Sequence, residues 1–467
     1  MSRKSRILRG SARAASGLLV VAVAAVAVVV LSSFELPEVG RKPLAITVDT
    51  TQNAHHSVVC GGPFTVLGAD EDRPDAAIPV GAPTVALAGA SESTRKLELA
   101  EGGDATPVVY EGLLGDPLGA AQIQKVDTEA LRGTAASTCA EPLNEQWLLG
   151  GSTDVGVSTT LALGNAGSVP ANVQITVYAE DGEVDAVETA GVIVASGSEQ
   201  VVSLNGYAPV RERLAVRVVS TGAPVTASLG VGQTNGLEPF AVSWVTRQQQ
   251  PETTLVVPGV ANVSDFERGP GDAGQGDQYA VTVRALAPGD EEGTARVSSL
   301  DANGKRTELG EIPLVPGEVG EFLIDTWPKN ANAAIIESDV PIVGSVLGSA
   351  TEGEEHDYEW FTPADELAAG VQTAAPVVSG GELVLVNTGT ANSEVQIVST
   401  AKPDAQPKTL TVESGTAVVV ADAPADALIT ASQPLFAGVR YVSGGDIAGY
   451  PTLAADPRDG TLTVFTR

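Results

Sequence analysis

The sequence predicts one N-terminal transmembrane helix followed by an all-β extracellular region, and three observations lead there. An uncharged apolar run follows a basic leader, strand-like alternation broken by turn residues dominates after residue 150, and three stretches of that region resemble one another in order.

The leader holds Arg3, Lys4, Arg6, Arg9 and Arg13, and the run from Ala14 to Phe34 carries no charged side chain. At 1.5 Å rise per residue such a run spans about 30 Å, the thickness of a bilayer core. It ends Leu31-Ser-Ser-Phe34-Glu35-Leu-Pro37, without the small-residue pattern of a cleavage site, so residues 14–34 read as a retained signal-anchor, with a cleaved signal peptide as the alternative. Cations on one flank keep residues 1–13 in the cytoplasm and place everything after a stalk at 35–44 outside the cell. The expected localisation is the cell membrane, single-pass, with the C-terminal region extracellular.

With the five leading cations set aside, 22 basic residues face 58 acidic ones, a charge near −36. Such a surface repels phosphate backbones and anionic head groups, which excludes nucleic acid as a partner. Apolar residues make up 43% of the chain but aromatic ones only 4%, so its cores are built from small side chains. Cys60 and Cys139 are the only cysteines and both fall in the exported part. The simplest reading there is one disulfide, closing a loop of about 80 residues and contributing about 4 kcal/mol in the chain-entropy model. The competing reading, a metal site of Cys60 with His55 and His56, lacks the two close ligand pairs of structural zinc.

Short Val, Ile, Leu and Thr-rich runs separated by Gly, Pro, Asn and Asp are strand signals, and they recur in a fixed order. Leu161-Ala-Leu-Gly-Asn165-Ala-Gly167 with Ala171-Asn-Val-Gln-Ile-Thr-Val177 returns as Leu383-Val-Leu-Val-Asn387-Thr-Gly389 with Ala391-Asn-Ser-Glu-Val-Gln-Ile-Val398. A strand, a glycine turn and another strand occur around Gly197, Gly317 and Gly415. Pro224, Pro341 and Pro434 each stand between two apolar strands, and Trp244-Val-Thr and Trp360-Phe-Thr follow the first two copies. The boundaries drawn from these signals are 45–146 for an N-terminal disulfide-closed β domain, then β repeats at 147–257, 258–375 and 376–467.

Copies of that size with six to eight strands predict tandem immunoglobulin-like β-sandwich repeats; a β-propeller with two four-stranded blades per repeat fits the same spacing. Asn-x-Gly is expected to be a hairpin connection whose glycine supplies the turn, and Asn303-Gly304 a sharper hairpin of the same kind.

No residue group is arranged for catalysis. Ser93-Thr-Arg-Lys96 fits the S-x-x-K pattern, but neither companion motif exists: Ser338-Asp339 continues with Val340, and Lys408-Thr409 with Leu410. His55, His56 and His356 are the only histidines, and there is no G-x-S-x-G elbow for a Ser-His-Asp arrangement. Acidic stretches at 70–75, 265–277 and 290–292 lack the spacing of a calcium loop. Glu352, Glu354, Glu355, His356, Asp357 and Glu359 crowd a stretch expected to be a solvated loop, with a pH-sensitive or metal-binding loop as the alternative. The expectation is therefore no catalytic, cofactor or metal residues.

At Cys139-Ala-Glu-Pro142, Trp147-Leu-Leu-Gly-Gly-Ser152 and Leu161-x-Leu163-x-Asn165-x-Gly167, the chain resembles an uncharacterised actinobacterial family of single-anchor cell-envelope extracellular proteins, a domain of unknown function. The resemblance covers most of the chain after residue 50. It implies export, a cysteine pair, no assigned activity and genes near those of envelope glycosylation. Val59-Cys60-Gly-Gly-Pro63 matches the family's first cysteine segment only loosely.

The functional expectation is a non-enzymatic envelope protein, a scaffold, adhesion or assembly factor. It would be held by its membrane helix and touch cell-wall glycan or an envelope protein, with Cys60, Cys139, Asn165 and Asn387 as structural residues. The alternative is a carbohydrate-active enzyme using paired carboxylates across a cleft.

Overall fold

The computed structural model describes residues 45–48, 55–68, 72, 73, 76–99, 102, 105–184, 191–264, 279–455 and 462–465. The predicted anchor, its basic tail and the stalk lie outside the described residues, as do the acidic stretch 265–277 and most of 70–75. No helix among the described residues is long and apolar enough to cross a membrane. The chain divides into two units. In the smaller, Ala45–Val48 pairs antiparallel with Leu462–Phe465. The larger runs from Asn53 to Pro457 and is nearly all β, its one described helix being the single turn Leu204–Tyr207.

The larger unit contains an eight-strand pattern three times. In the first copy the strands are Glu145–Leu149, Val157–Asn165, Ala171–Ala179, Val192–Val194, Ser198–Ser203, Ala215–Gly222, Thr226–Asn235 and Glu238–Val245. In the second they are Glu252–Pro258, Val281–Leu286, Gly293–Asp301, Arg306–Leu314, Val319–Ile324, the long Ala331–Glu352 serving as sixth and seventh, and Glu355–Phe361. In the third they are Gln372–Ala374, Glu382–Asn387, Ser393–Ser399, Lys408–Val412, Thr416–Val420, Ala427–Ala431, Phe436–Ser443 and Asp446–Pro451. Each copy forms two sheets, with strands ordered one-six-three-four and eight-seven-two-five. The first strand of each copy starts a few residues before the boundary that the sequence motifs suggest, because the motifs begin at the second strand.

Consecutive strands two and three belong to different sheets, which corrects the hairpin expectation for Asn-x-Gly. The connection is a corner, and the asparagine side chain builds it. Asn165 is fully buried; its Nδ2 donates to the carbonyls of Val169 (2.9 Å) and Val194 (3.0 Å), and its Oδ1 accepts from the Gly167 N–H (2.8 Å). Asn387 repeats all three bonds with Ala391, Val412 and Gly389 at 2.9, 3.1 and 2.9 Å. Gly197, Gly317 and Gly415, between strands four and five, all have φ near +70° (71, 76 and 67°), a conformation in which a side chain is strained. Asn303-Gly304 is the hairpin the dipeptide predicts, joining Gly293–Asp301 to Arg306–Leu314.

Within a copy the two sheets share one core. In the first, Leu148, Val173 and Val216 from one sheet meet Leu161, Leu163 and Leu229 from the other. The outer faces are buried as well, which explains strands such as Val281–Leu286 with every residue inside. Trp147, Leu149 and Ala215 of the first copy meet Leu286, Val319 and Val343 of the second. Val256, Leu300 and Ile335 of the second meet Val384, Val386 and Phe436 of the third. Ala374 and Leu428 of the third meet Ala88 of the N-terminal segment.

That N-terminal segment holds two three-stranded sheets, His55–Cys60 with Val108–Leu113 and Ser93–Lys96, and Arg132–Cys139 with Leu118–Asp127 and Thr84–Gly89. Phe64, Val126 and Ala135 from it pack on Val242 and Trp244 of the first copy, which completes a cycle of contacts. Arg132–Cys139 lies beside Glu238–Val245, which lies beside Glu355–Phe361, then Asp446–Pro451, then Arg132–Cys139 again. Cys60 and Cys139 are disulfide-bonded, with Cα atoms 4.2 Å apart, and so tie the two N-terminal sheets together.

Candidate functional site

Four central strands converge on one carboxylate. Asp357 is completely buried and accepts backbone N–H groups of Thr134 (2.7 Å), Val242 (3.1 Å) and Ile447 (3.4 Å), one from each of the other three. A Cβ at position 133 would collide with its Oδ1, so only glycine lets the chain pass there. Two residues along the strand, the equally buried Glu359 accepts from the Ser243 hydroxyl at 3.1 Å. Burial raises both carboxyls well above the usual range, against the pull of the backbone N–H groups on Asp357.

The expectation of a solvated loop at 352–359 is thus overturned: Glu355–Phe361 is a central strand and only its leading turn is exposed. His356 stacks between Phe240 and Tyr279, with ring centroids 4.2 and 3.8 Å away, and burial lowers its pKa to about 4. His56 bonds Glu141 at 3.1 Å and Cys60 is spent in the disulfide, so the His-Cys ligand set is not assembled. Among the described residues no group of three or more His, Cys, Asp or Glu could hold a metal ion. Ser93 donates to one oxygen of Glu111 at 2.6 Å, whose other oxygen holds the Arg95 ion pair, rather than being activated by Lys96.

Glu199, on the fifth strand of the first copy, is a third interior carboxyl. Burial pushes it up to about 7, and the N–H of Gly62, 3.3 Å away, only partly opposes this. A group whose folded pKa lies above its unfolded value of 4.5 stabilises the protein fully below about 4.5 and loses that stabilisation as pH rises to about 7. The loss is on the order of 3 kcal/mol for that shift. Thermal melts at pH 5 and pH 8 should therefore differ less in Glu199→Gln than in the unsubstituted protein, with the variant the more stable at pH 8. Equal pH dependence in the two proteins would remove Glu199 from this role.

A large open cleft lies where the first copy meets the second, with a volume of about 560 Å³. Its floor is Trp147 stacked on Tyr178 (centroids 5.9 Å, 29° between planes), with the Arg217 guanidinium 5.5 Å above the Trp147 ring and paired to Glu145 at 2.9 Å. Its walls are Pro251, the turn Ala287-Pro-Gly-Asp-Glu291 and Val340-Pro341. Beside it, Arg284 donates to the carbonyls of Gly151 (2.6 Å) and Glu212 (3.0 Å) and to Glu321 (2.7 Å), which pins the two copies together.

The repeat explains why this junction stays open where the equivalent pairs at the other two are packed. Trp147 pairs across strands with Arg217; the equivalent pairs are Val256 with Ile335 and Ala374 with Leu428. All three pairs face the next unit, but the second and third are small and apolar and pack shut. On the facing side, Ala287-Pro-Gly289 stands where the other copies have Asn165-Ala-Gly167 and Asn387-Thr-Gly389. The Gly317 N–H bonds the Ala287 carbonyl as Gly197 bonds that of Asn165, so the backbone is kept while the asparagine corner is lost. Motif reading singled out Trp147 and Asn165 but passed over Tyr178, Arg217 and the altered turn; the missing asparagine in an otherwise regular repeat is the signal that marks the place.

Fold and cleft together define an all-β repeat protein with interlocked copies and a ligand-sized cleft at one junction. Residues 102–423 match the family of unknown function DUF5719, and the chain belongs to that family. A search of curated proteins finds no match.

Proposed function

We propose that this is a membrane-anchored, extracellular, non-enzymatic protein of the cell envelope that acts as a scaffold or assembly factor by holding a partner in the cleft between its first and second copies. The observation that carries the reading is the broken repeat: Trp147, Arg217 and Ala287-Pro-Gly289 keep open a junction that Val256, Ile335 and Phe436 close at the next position. Clefts between packed units are a preferred place for ligands to bind. The anchor at 14–34 and the acidic surface support an exported location.

In the same reading each copy is a two-sheet sandwich, and with the N-terminal segment the sheets close a propeller-like ring around Asp357. The cyclic order of the four central strands supports this, as does burial of both faces of the sheets. Glycan cleavage is the weaker alternative, because the adjacent carboxyls Asp357 and Glu359 have no exposure and Glu145 is held by Arg217.

The test is photo-crosslinking in the producing cell. A photoreactive residue at position 289 should give a discrete adduct and one at the equivalent position 389 none. Equal adducts at both positions, or none at 289, would contradict the reading.

A further inference from the structure

Resting on that cleft, we propose that its ligand is a cationic, extended polypeptide segment, bound through main-chain acceptors and basic side chains. The first ground is charge. Glu145, Asp290 and Glu291 line the cleft, and its only cation, Arg217, is already neutralised by Glu145. Glu183 acts on Tyr178 from close by and adds to the same sign. An anionic or phosphorylated ligand is repelled here, whereas a Lys or Arg side chain gains attraction and steering.

The second ground is a missing acceptor. Trp147 lines the cleft and is 4% exposed, and its indole N–H, itself covered by protein atoms, has no hydrogen-bond partner, so a ligand group reaches it only with a small turn of the ring. A buried donor without a partner is costly, and a peptide carbonyl is the group that would satisfy it. The third ground is shape: Pro251, Pro288 and Pro341 beside the Trp147–Tyr178 stack make rigid apolar walls of the kind that receive an extended, poorly hydrogen-bonded chain.

The experiment measures fluorescence anisotropy of a labelled (Pro-Lys)6 peptide with the full chain, beside a (Pro-Gln)6 peptide and an N-acetylglucosamine tetramer as competitor. The basic peptide should bind, and raising salt from about 50 to about 500 mM should weaken it at least about tenfold. Asp290→Asn with Glu291→Gln should weaken it about tenfold, and Trp147→Phe, which removes the indole donor and part of the ring face, about fivefold. Both loop carboxylates are exposed, so the double variant keeps its melting temperature. The matched removal of charge far from the cleft, Asp404→Asn with Glu413→Gln, should leave binding intact.

Equal binding of the neutral peptide, or equal weakening by the distant pair, would overturn the proposal, the latter exposing simple polyelectrolyte attraction. Binding of the sugar tetramer in place of the peptide, lost in the cleft variants, would overturn the ligand class while leaving the cleft as the binding site. Absence of a crosslink at position 289 would remove the cleft itself.

Discussion

Replacing Asp357 by alanine is expected to destabilise the protein by about 3–5 kcal/mol, or to prevent folding, because it leaves three buried donors without an acceptor and opens a cavity at their meeting point. Thr134, Val242 and Ile447 belong to three different central strands, and the carboxylate is the one group that joins them all. Asp357→Asn keeps one acceptor oxygen but sets an NH2 against an N–H, so its loss should be smaller yet well above measurement error. Chemical denaturation followed by circular dichroism gives the order: unsubstituted, then Asn, then Ala. An alanine variant that unfolds at the same denaturant concentration as the parent would show that the central carboxylate is not a tie.

Loss of the disulfide comes next in size. Cys60 and Cys139 are 79 residues apart, and opening a loop of that length returns about 4 kcal/mol of chain entropy to the unfolded state. Cys139 lies at the end of a central strand, and its neighbour Ala140 bridges Val59, so the bond fixes the N-terminal sheets against the strand that completes the cycle. Cys60→Ser with Cys139→Ser should lower the midpoint of the whole 53–457 unit in a single transition, as should reduction. If only a minor early transition appears and the main one is unmoved, the N-terminal segment is not integral to the unit.

Much of this architecture was written in local patterns. The corners of Asn165 and Asn387, the left-handed glycines at 197, 317 and 415 and the Asn303-Gly304 hairpin each act over a few residues, so spacing alone reveals them. Strand partnership did not show, because the third strand pairs with the sixth and the second with the fifth and seventh, all distant in sequence. The stretch at 352–359 misled for a related reason: its charge predicts exposure, and nothing nearby reveals three backbone donors that lie 90, 115 and 223 residues away. The cleft was legible only as an absence, Ala287 where the repeat has asparagine. Its other half, Arg217 and Tyr178, sits on strands whose neighbours are set by the same long-range pairing.

Interdependence of the copies is the central claim, because it is what makes one open junction exceptional. Its most direct test is the third copy alone, residues 366–457, against the 53–457 unit. Excision uncovers Val384, Val386, Ala417 and Phe436 on one side and Ala374 and Leu428 on the other. Exposed apolar faces of that kind lead to aggregation, and sheets that bury both faces lose stability without their neighbours. The account predicts that scanning calorimetry gives one cooperative transition for 53–457 and none for the excised copy. A soluble fragment with its own cooperative β-type transition near that of the intact unit would contradict it.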